Sequence, residues 1–258
     1  MRKSAKWLPR GVSALVIIAA LSAWQLASHV YGKVLLPPPL AVMRSFLDDV
    51  ASPVFLYNVW VTFQEVAIGL VIATAVGLIF GVVTASVRLF EQAVTPLVVA
   101  FQAVPKVAFA PLLLVWFGYG TQSKVVLVVL VTFFPVFINV VAGFKNVDAD
   151  KILLMRTLRA SWAQTFYKMR LPLALPYVFA GLEISVVLAV IAAVIGEFAG
   201  SSEGLGALIL QRQARLDIAG VFSAVAYLSL MGVMLHYATV LAARKYSGWA
   251  DQRSLVAA

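Results

Sequence analysis

Six stretches of this chain, residues 11–31, 58–86, 92–117, 124–144, 173–199 and 219–243, are each apolar over a length that crosses a lipid bilayer. About 20 apolar residues are enough for a helix to do so. Within hydrocarbon only a helix or a closed barrel satisfies every backbone polar group internally. The runs do not alternate, and they are far longer than the roughly 10 residues of a barrel strand. The expected fold class is therefore an all-α polytopic membrane protein with about six transmembrane helices. Composition agrees, with only 12% charged residues, where a soluble domain carries about 25%.

Charge placement orients the helices. With the N-terminus inside, the inner segments hold Arg2, Lys3, Lys6, Arg10, Arg88, Lys145, Lys151, Arg156, Arg159, Lys168, Arg170, Arg244, Lys245 and Arg253. The outer segments hold only Lys33, Arg44, Lys124, Arg212 and Arg215. Lys and Arg concentrate on the cytoplasmic side, so both termini and the charged block 145–172 are expected there. The net charge of +9 thus reflects orientation and does not call for nucleic acid. The basic start followed by an apolar run reads as a retained signal anchor, because further spans follow, and no lipidation motif is present. The expected organisation is a basic tail 1–10, a membrane domain 11–243 with its loop 145–172, and a tail 244–258.

The connecting segments differ in character. Prolines 37–39 favour extended backbone after the first span, and a short surface helix is expected over 41–51. Residues 200–218 read as a Gly/Ser break followed by a short amphipathic helix at the outer face. Pro96, Pro105 and Pro111 interrupt the third span, which is expected to be kinked or split.

Several chemistries are missing. No phosphate-binding G-x-x-x-x-G-K-[ST] run appears, His29 and His236 stand far apart without a zinc motif, and no nucleophile elbow is present. Zero cysteines exclude disulfides and thiolate sites. No catalytic residue, metal site or bound cofactor is expected in the chain.

Four ionisable residues fall inside spans: Glu65, Lys106, Glu183 and Glu197. A charge at membrane depth faces a bundle interior, a cavity or a partner. Lys106 follows Pro105, where a broken helix frees carbonyls and opens space. It either attracts an anionic or electron-rich solute or forms a structural ion pair with Glu65 or Glu197. Glu183, two turns into its span, is expected to snorkel to the interface.

The block 145–172 has helical signals. Asp148 is placed as an N-cap and Asp150 in the favourable first turn, so VDADKILLMRTL is expected to form a helix. Its apolar face is expected to hold Ile152, Leu153 and Met155 or Arg156. An aromatic helix SWAQTFYKM follows, and then Leu171-Pro172, with proline suited to the first turn of the returning span. An exposed apolar face rimmed by Arg and Lys fits a docking surface or a helix lying on anionic headgroups.

At this loop the chain resembles the permease subunits of bacterial ATP-binding-cassette importers. Their cytoplasmic signature runs E-A-A, three residues, G, nine residues, then I-x-L-P. Anchored on Leu171-Pro172, Met169 takes the Ile position, Arg159 the Gly position and Leu153-Leu154-Met155 the E-A-A position. The passage PLVVAFQAVPKVAFAPLLLVWFGYG at 96–120 is similar to the nitrate/sulfonate/taurine-type permeases. So are Phe134-Pro135, Asn139, Gly143, Val147-Asp148, LPLALPYVFAGLEIS at 171–185, Gly196-Glu197-Phe198 and GLG at 204–206.

The resemblance implies a type I importer permease fold in a bacterial inner membrane. It implies a second permease copy, a cytoplasmic ATPase subunit carrying ATP and Mg, and an extracytoplasmic substrate-binding protein. Asp148, Leu153, Arg156, Thr157, Arg159, Ala160 and Ser161 would form the ATPase-coupling helix and its turn, with Leu171 and Pro172 fixing the return. Arginine at the glycine position resists positive φ, so coupling would use a modified contact, or Arg159 would pair with an acidic residue on the ATPase. Gln102, Lys106, Glu197 and Phe198 are the translocation-path candidates. The solute would be small and anionic or heterocyclic, of the nitrate, sulfonate, taurine or vitamin-precursor class. The rival readings are a self-sufficient transporter using Glu65, Glu183 or Glu197 as proton sites, and a membrane-embedded enzyme, for which no reactive constellation exists.

Overall fold

A computed structural model describes residues 8–32 and 35–248, and every regular element among them is helical. The chain begins with α1 (Leu8–Tyr31), a short α2 (Pro39–Val50) and the 34-residue α3 (Pro53–Ser86). The third span is broken into α4 (Arg88–Ala103), a 3-10 turn (Lys106–Phe109) and α5 (Ala110–Phe117). Next come α6 (Thr121–Lys145), the short α7 (Ala149–Thr157) and α8 (Trp162–Thr165), and the long α9 (Leu171–Gly200). α10 (Leu205–Ala214) and α11 (Ile218–Ser247) complete the chain.

Four helical stretches are long and apolar enough to cross a membrane: Pro53–Ser86, Thr121–Lys145, Trp162–Gly200 and Ile218–Ser247. The pair α4 and α5, bent by 79°, provides a fifth. Packing shows that this bent pair must cross. Gly69, Gly77 and Gly81 of α3 lie against Val128, Val136 and Val140 of α6 in the same order, so α3 and α6 run parallel. A chain can return between two parallel helices only by traversing the layer once more. The first expected span corresponds to α1, of 24 residues, packed at the edge through Trp24 on Phe222 with ring centroids 5.7 Å apart.

Of the three prolines in the third span, only Pro105 breaks it. Pro96 stays inside α4, and Pro111 sits in the first turn of α5, where its missing N–H is no loss.

Small residues let the long helices approach. A Cβ on Gly81 would stand 2.5 Å from Val140 Cγ1, and one on Gly77 2.9 Å from Val136 Cγ1. Across α6 and α9, Gly143 meets Ala174 and Tyr177, and Gly181 meets Asn139 and Pro135; this pairing runs antiparallel. Helix association in lipid relies on such close packing, since hydrocarbon offers no hydrophobic drive between helices.

The connectivity places α7, α8, the start of α9 and the ends of α6 and α11 at one end of the bundle. It places α2, α10 and the starts of α3, α6 and α11 at the other. The expected tails 1–10 and 244–258 fall largely on residues 1–7 and 249–258, outside the described residues, as does Lys33; within them, α11 continues helical to Ser247.

Candidate functional site

Local capping builds the loop at the first end. Asp148 caps α7, its Oδ1 accepting from the Asp150 amide at 2.9 Å. The helix stops on a paired turn, in which the Arg159 amide donates to the Arg156 carbonyl at 2.9 Å and the Ala160 amide to the Met155 carbonyl at 3.0 Å. This is a Schellman motif, and it requires a left-handed residue where Arg159 stands, at φ +52°. The arginine therefore adopts the conformation that glycine would favour, at a cost of about 1–2 kcal/mol. The turn keeps its geometry despite the side chain.

Ser161 then starts α8 with a reciprocal capping box. Its Oγ accepts from the Gln164 amide at 3.2 Å, and its own amide donates to Gln164 Oε1 at 2.8 Å. The S-x-x-Q spacing that produces this box is legible in sequence. Past α8 the backbone widens into a π-helical turn over Phe166–Arg170, with the Leu171 amide reaching the Phe166 carbonyl. Pro172 has no N–H to offer the Lys168 carbonyl, and the wider turn absorbs that loss. Leu171 and Pro172 thus join the loop to α9 without a break.

The exposed face differs from the expected one. Leu153, Leu154, Leu158 and Trp162 are 59–68% exposed, whereas Ile152 and Met155 are half-buried. Lys151, Arg156, Arg159 and Lys168 are exposed around them, and Thr157 turns its hydroxyl onto the Leu153 carbonyl at 3.0 Å. The loop is seated on the core by an aromatic column. Trp162 stacks on Phe166 at 5.3 Å, and Phe166 stacks on the buried Phe144 of α6 at 5.6 Å. Lys145 pairs with Glu91, tying the end of α6 to α4.

The break at Pro105 frames a second candidate region. Gln102, Lys106, Val107, Val131, Phe134, Pro135 and Leu188 line a cavity of about 410 Å³. Lys106 and Phe134 also border an apolar hollow of about 200 Å³ beside it. The Lys106 ammonium sits 4.7 Å from the centroid of the Phe134 ring and 3.4 Å from the Gln102 carbonyl. Among the described residues it makes no ion pair, so the alternative of a pairing with Glu65 or Glu197 is not what the structure contains. A larger apolar groove of about 730 Å³ runs between α9 and α11, with His236 its one ionisable lining group besides Tyr237.

Glu197 is elsewhere. It is fully buried at the opposite end, where it acts as a cap supplied from another helix. Thr62 Oγ1 donates to Glu197 Oε1 at 2.6 Å, and the Gly206 amide donates to Oε2 at 2.5 Å. The Gly204 amide bonds Asn58 Oδ1 at 2.7 Å, and the Leu205 amide bonds Thr62 Oγ1 at 2.8 Å. Three free amides at the start of α10 are thereby satisfied by α3 and α9. Glu65 and Lys124 are buried beside them, Lys124 donating to the carbonyls of Tyr119 and Gly120. Lys124, expected as an outer loop charge, is instead a core residue. Phe198 is exposed but borders neither cavity at Lys106, and Glu183 is half-buried on α9.

An ionic staple that sequence reasoning missed closes the same end. Arg212 on α10 holds Asp49 on α2 through two hydrogen bonds, of 2.8 and 2.5 Å, and donates to the Gly220 carbonyl at 2.7 Å. Ser223 of α11 donates to Asp49 Oδ2 at 2.5 Å. Asp49 raises the Arg212 pKa above its ordinary value through the hydrogen bond, against burial, which lowers it. The guanidinium stays charged at every pH the protein meets. α10 ends in a second Schellman turn with Leu216 at φ +59°.

Comparison with known proteins identifies relatives of this arrangement. The family profile described as binding-protein-dependent transport system inner membrane component matches residues 65–248. The formylaminopyrimidine transport permease protein ThiX of Halalkalibacterium halodurans is 34% identical over 221 residues, covering 85% of this chain and 88% of the relative. The taurine transport system permease protein TauC of Escherichia coli is 26% identical over 232 residues, covering 88% and 84%. Among solved structures, a chain of the MetNI methionine ABC transporter in an inward-facing conformation superposes with a TM-score of 0.64 at 19% identity. It covers 75% of this chain and 96% of that one.

Proposed function

Because the chain belongs to the family of binding-protein-dependent transport system inner membrane components, we propose that it pairs with a second copy of itself around a central solute path. It is a transport subunit, the permease component of an ATP-driven importer in a bacterial inner membrane, and works with an ATPase subunit and a substrate-binding protein. ATP and Mg belong to the ATPase, and no catalytic site is assigned to this chain. The end carrying α7 faces the cytoplasm together with both termini, as the Lys and Arg distribution favours.

The loop from Asp148 to Ser161 is the ATPase contact, returned to the membrane at Leu171-Pro172. One observation carries this reading: α7, capped at both ends, its closing turn and the start of α8 present Leu153, Leu154, Leu158 and Trp162 to the exterior among exposed cations. Closure of the ATPase on ATP would draw two such loops together and turn the path outward; hydrolysis would release them, in a two-state switch. The aromatic column through Phe166 to Phe144 gives the loop a stiff connection to α6. In a complex purified from membranes, Leu158→Asp places a charge in this contact and is expected to strip the ATPase from the permease. Full retention of the ATPase with undiminished solute uptake would remove the docking assignment.

Gln102 and Lys106, with Phe134, form the solute-contact region of the path. Lys106 supplies an unpaired cation and Phe134 an aromatic face, which suits a small solute that is anionic or a planar heterocycle. The relatives are named for transport of formylaminopyrimidine, a heterocycle, and of taurine, which carries an anionic sulfonate group. Glu197 is assigned instead to holding α10, and Phe198 lies beside it. Family membership also displaces the proton-coupled reading, in which Glu65, Glu183 or Glu197 would carry protons.

A further inference from the structure

We infer that Arg159 is held in a strained turn for the sake of its side chain, and that it selects an ATPase whose docking cleft carries a carboxylate opposite the end of α7. The inference rests on the assignment of this loop as the ATPase contact and adds a charge requirement to it.

The argument starts from the backbone. Arg159 occupies the left-handed position of a fully formed Schellman turn, with both of its hydrogen bonds at 2.9–3.0 Å. Glycine adopts this conformation freely and arginine does not. A residue that strains its own backbone is retained within a fold only if something else in the structure determines it. Among the described residues nothing does. Arg159 is exposed, and among the described residues its guanidinium has no hydrogen bond, ion pair or aromatic partner. The backbone amide alone makes the turn, and any residue except proline supplies one. Among the described residues the side chain thus makes no polar or aromatic contact, and its role is assigned to what the loop meets.

Position determines what it meets. Arg159 directly follows Leu158, which is 67% exposed, and stands three residues before Trp162, 68% exposed. These two are the most exposed apolar groups of the proposed contact, and Arg159 lies between them in the chain. An arginine there, with Arg156 one turn behind it, favours an acidic rim on the partner, which would steer association and reject ATPases without it. The exposed guanidinium can fork onto a carboxylate through two hydrogen bonds.

The test uses the full-length chain with its co-purifying ATPase, recognised by its ATP hydrolysis and titrated with salt. Arg159→Gly is expected to raise the thermal midpoint of the permease while weakening ATPase retention roughly threefold to tenfold at low salt. The salt dependence of retention should flatten in this variant, and Arg159→Lys should restore most of it. Retention and salt response equal to wild type in Arg159→Gly would overturn the inference and leave the docking assignment standing, provided Leu158→Asp still strips the ATPase. If Leu158→Asp retains the ATPase, the docking assignment falls first and the inference with it.

Discussion

Lys106 and Glu197 are both charges set into apolar sequence, and they do opposite work. Lys106 stands at a cavity with a carbonyl and a ring face for company. Glu197 is enclosed and bonded to Thr62 and Gly206. Alanine at the two positions should therefore separate function from stability. Lys106→Ala is expected to lower solute uptake roughly tenfold, the loss of one charge-assisted contact, with an unchanged thermal midpoint. Glu197→Ala leaves the Gly206 amide without an acceptor and the Thr62 hydroxyl with only the Asn58 carbonyl at 3.2 Å, and is expected to destabilise the protein by about 3 kcal/mol. Thermal unfolding beside an uptake assay distinguishes the two. The sequence distinguished them only halfway. Pro105 marks Lys106 as belonging to a broken helix, but nothing in the spacing of Glu197 announces that its partners are backbone amides. A signal did exist on the other side: Asn58, Thr62 and Glu65 recur at i, i+4 and i+7 on one face of α3, which is unusual for a face meant for lipid.

At the scale of elements, caps and breakers were the readable part. Asp148, Pro105 and the Gly/Ser break before α10 place helix ends close to where they occur, because each acts through its own backbone, whereas Pro96 stays inside α4. The outward face of α7 was not readable. Leu153, Leu154 and Leu158 alternate closely with Ile152 and Met155, so no single stripe stands out, and the neighbours that half-bury Ile152 and Met155 decide. The parallel pairing of α3 and α6 was equally hidden, since it depends on which glycine meets which valine. Gly69 and Gly81 are the sharpest of these contacts, each placing an added Cβ 2.5 Å from a valine methyl. Gly81→Ala is expected to cost about 1–3 kcal/mol through overpacking against Val140, while alanine at Gly232, whose added Cβ meets nothing nearer than Val190 at 4.0 Å, should be neutral. Parallel thermal melts of the two variants check the difference.

For the molecule as a whole, the absence of cysteine makes sidedness directly measurable. Lys151→Cys and Gln211→Cys lie at opposite ends of the bundle, both on exposed helix surfaces. In intact cells stripped of any outer wall, an impermeant thiol reagent is expected to modify Gln211→Cys and to reach Lys151→Cys only after lysis. The reverse result would invert the assigned orientation. One further consequence follows from α6, which seats the loop at Phe144 and supplies Phe134 and Pro135 to the cavity wall. The two points are ten residues apart, about 15 Å along one helix, and so belong to a single rod. Two ligands that bias the same rod are bound by reciprocity. Under the proposed assignments, whatever factor the ATPase imposes on solute affinity at Lys106, an occupied cavity must impose on the grip of the ATPase at Leu158.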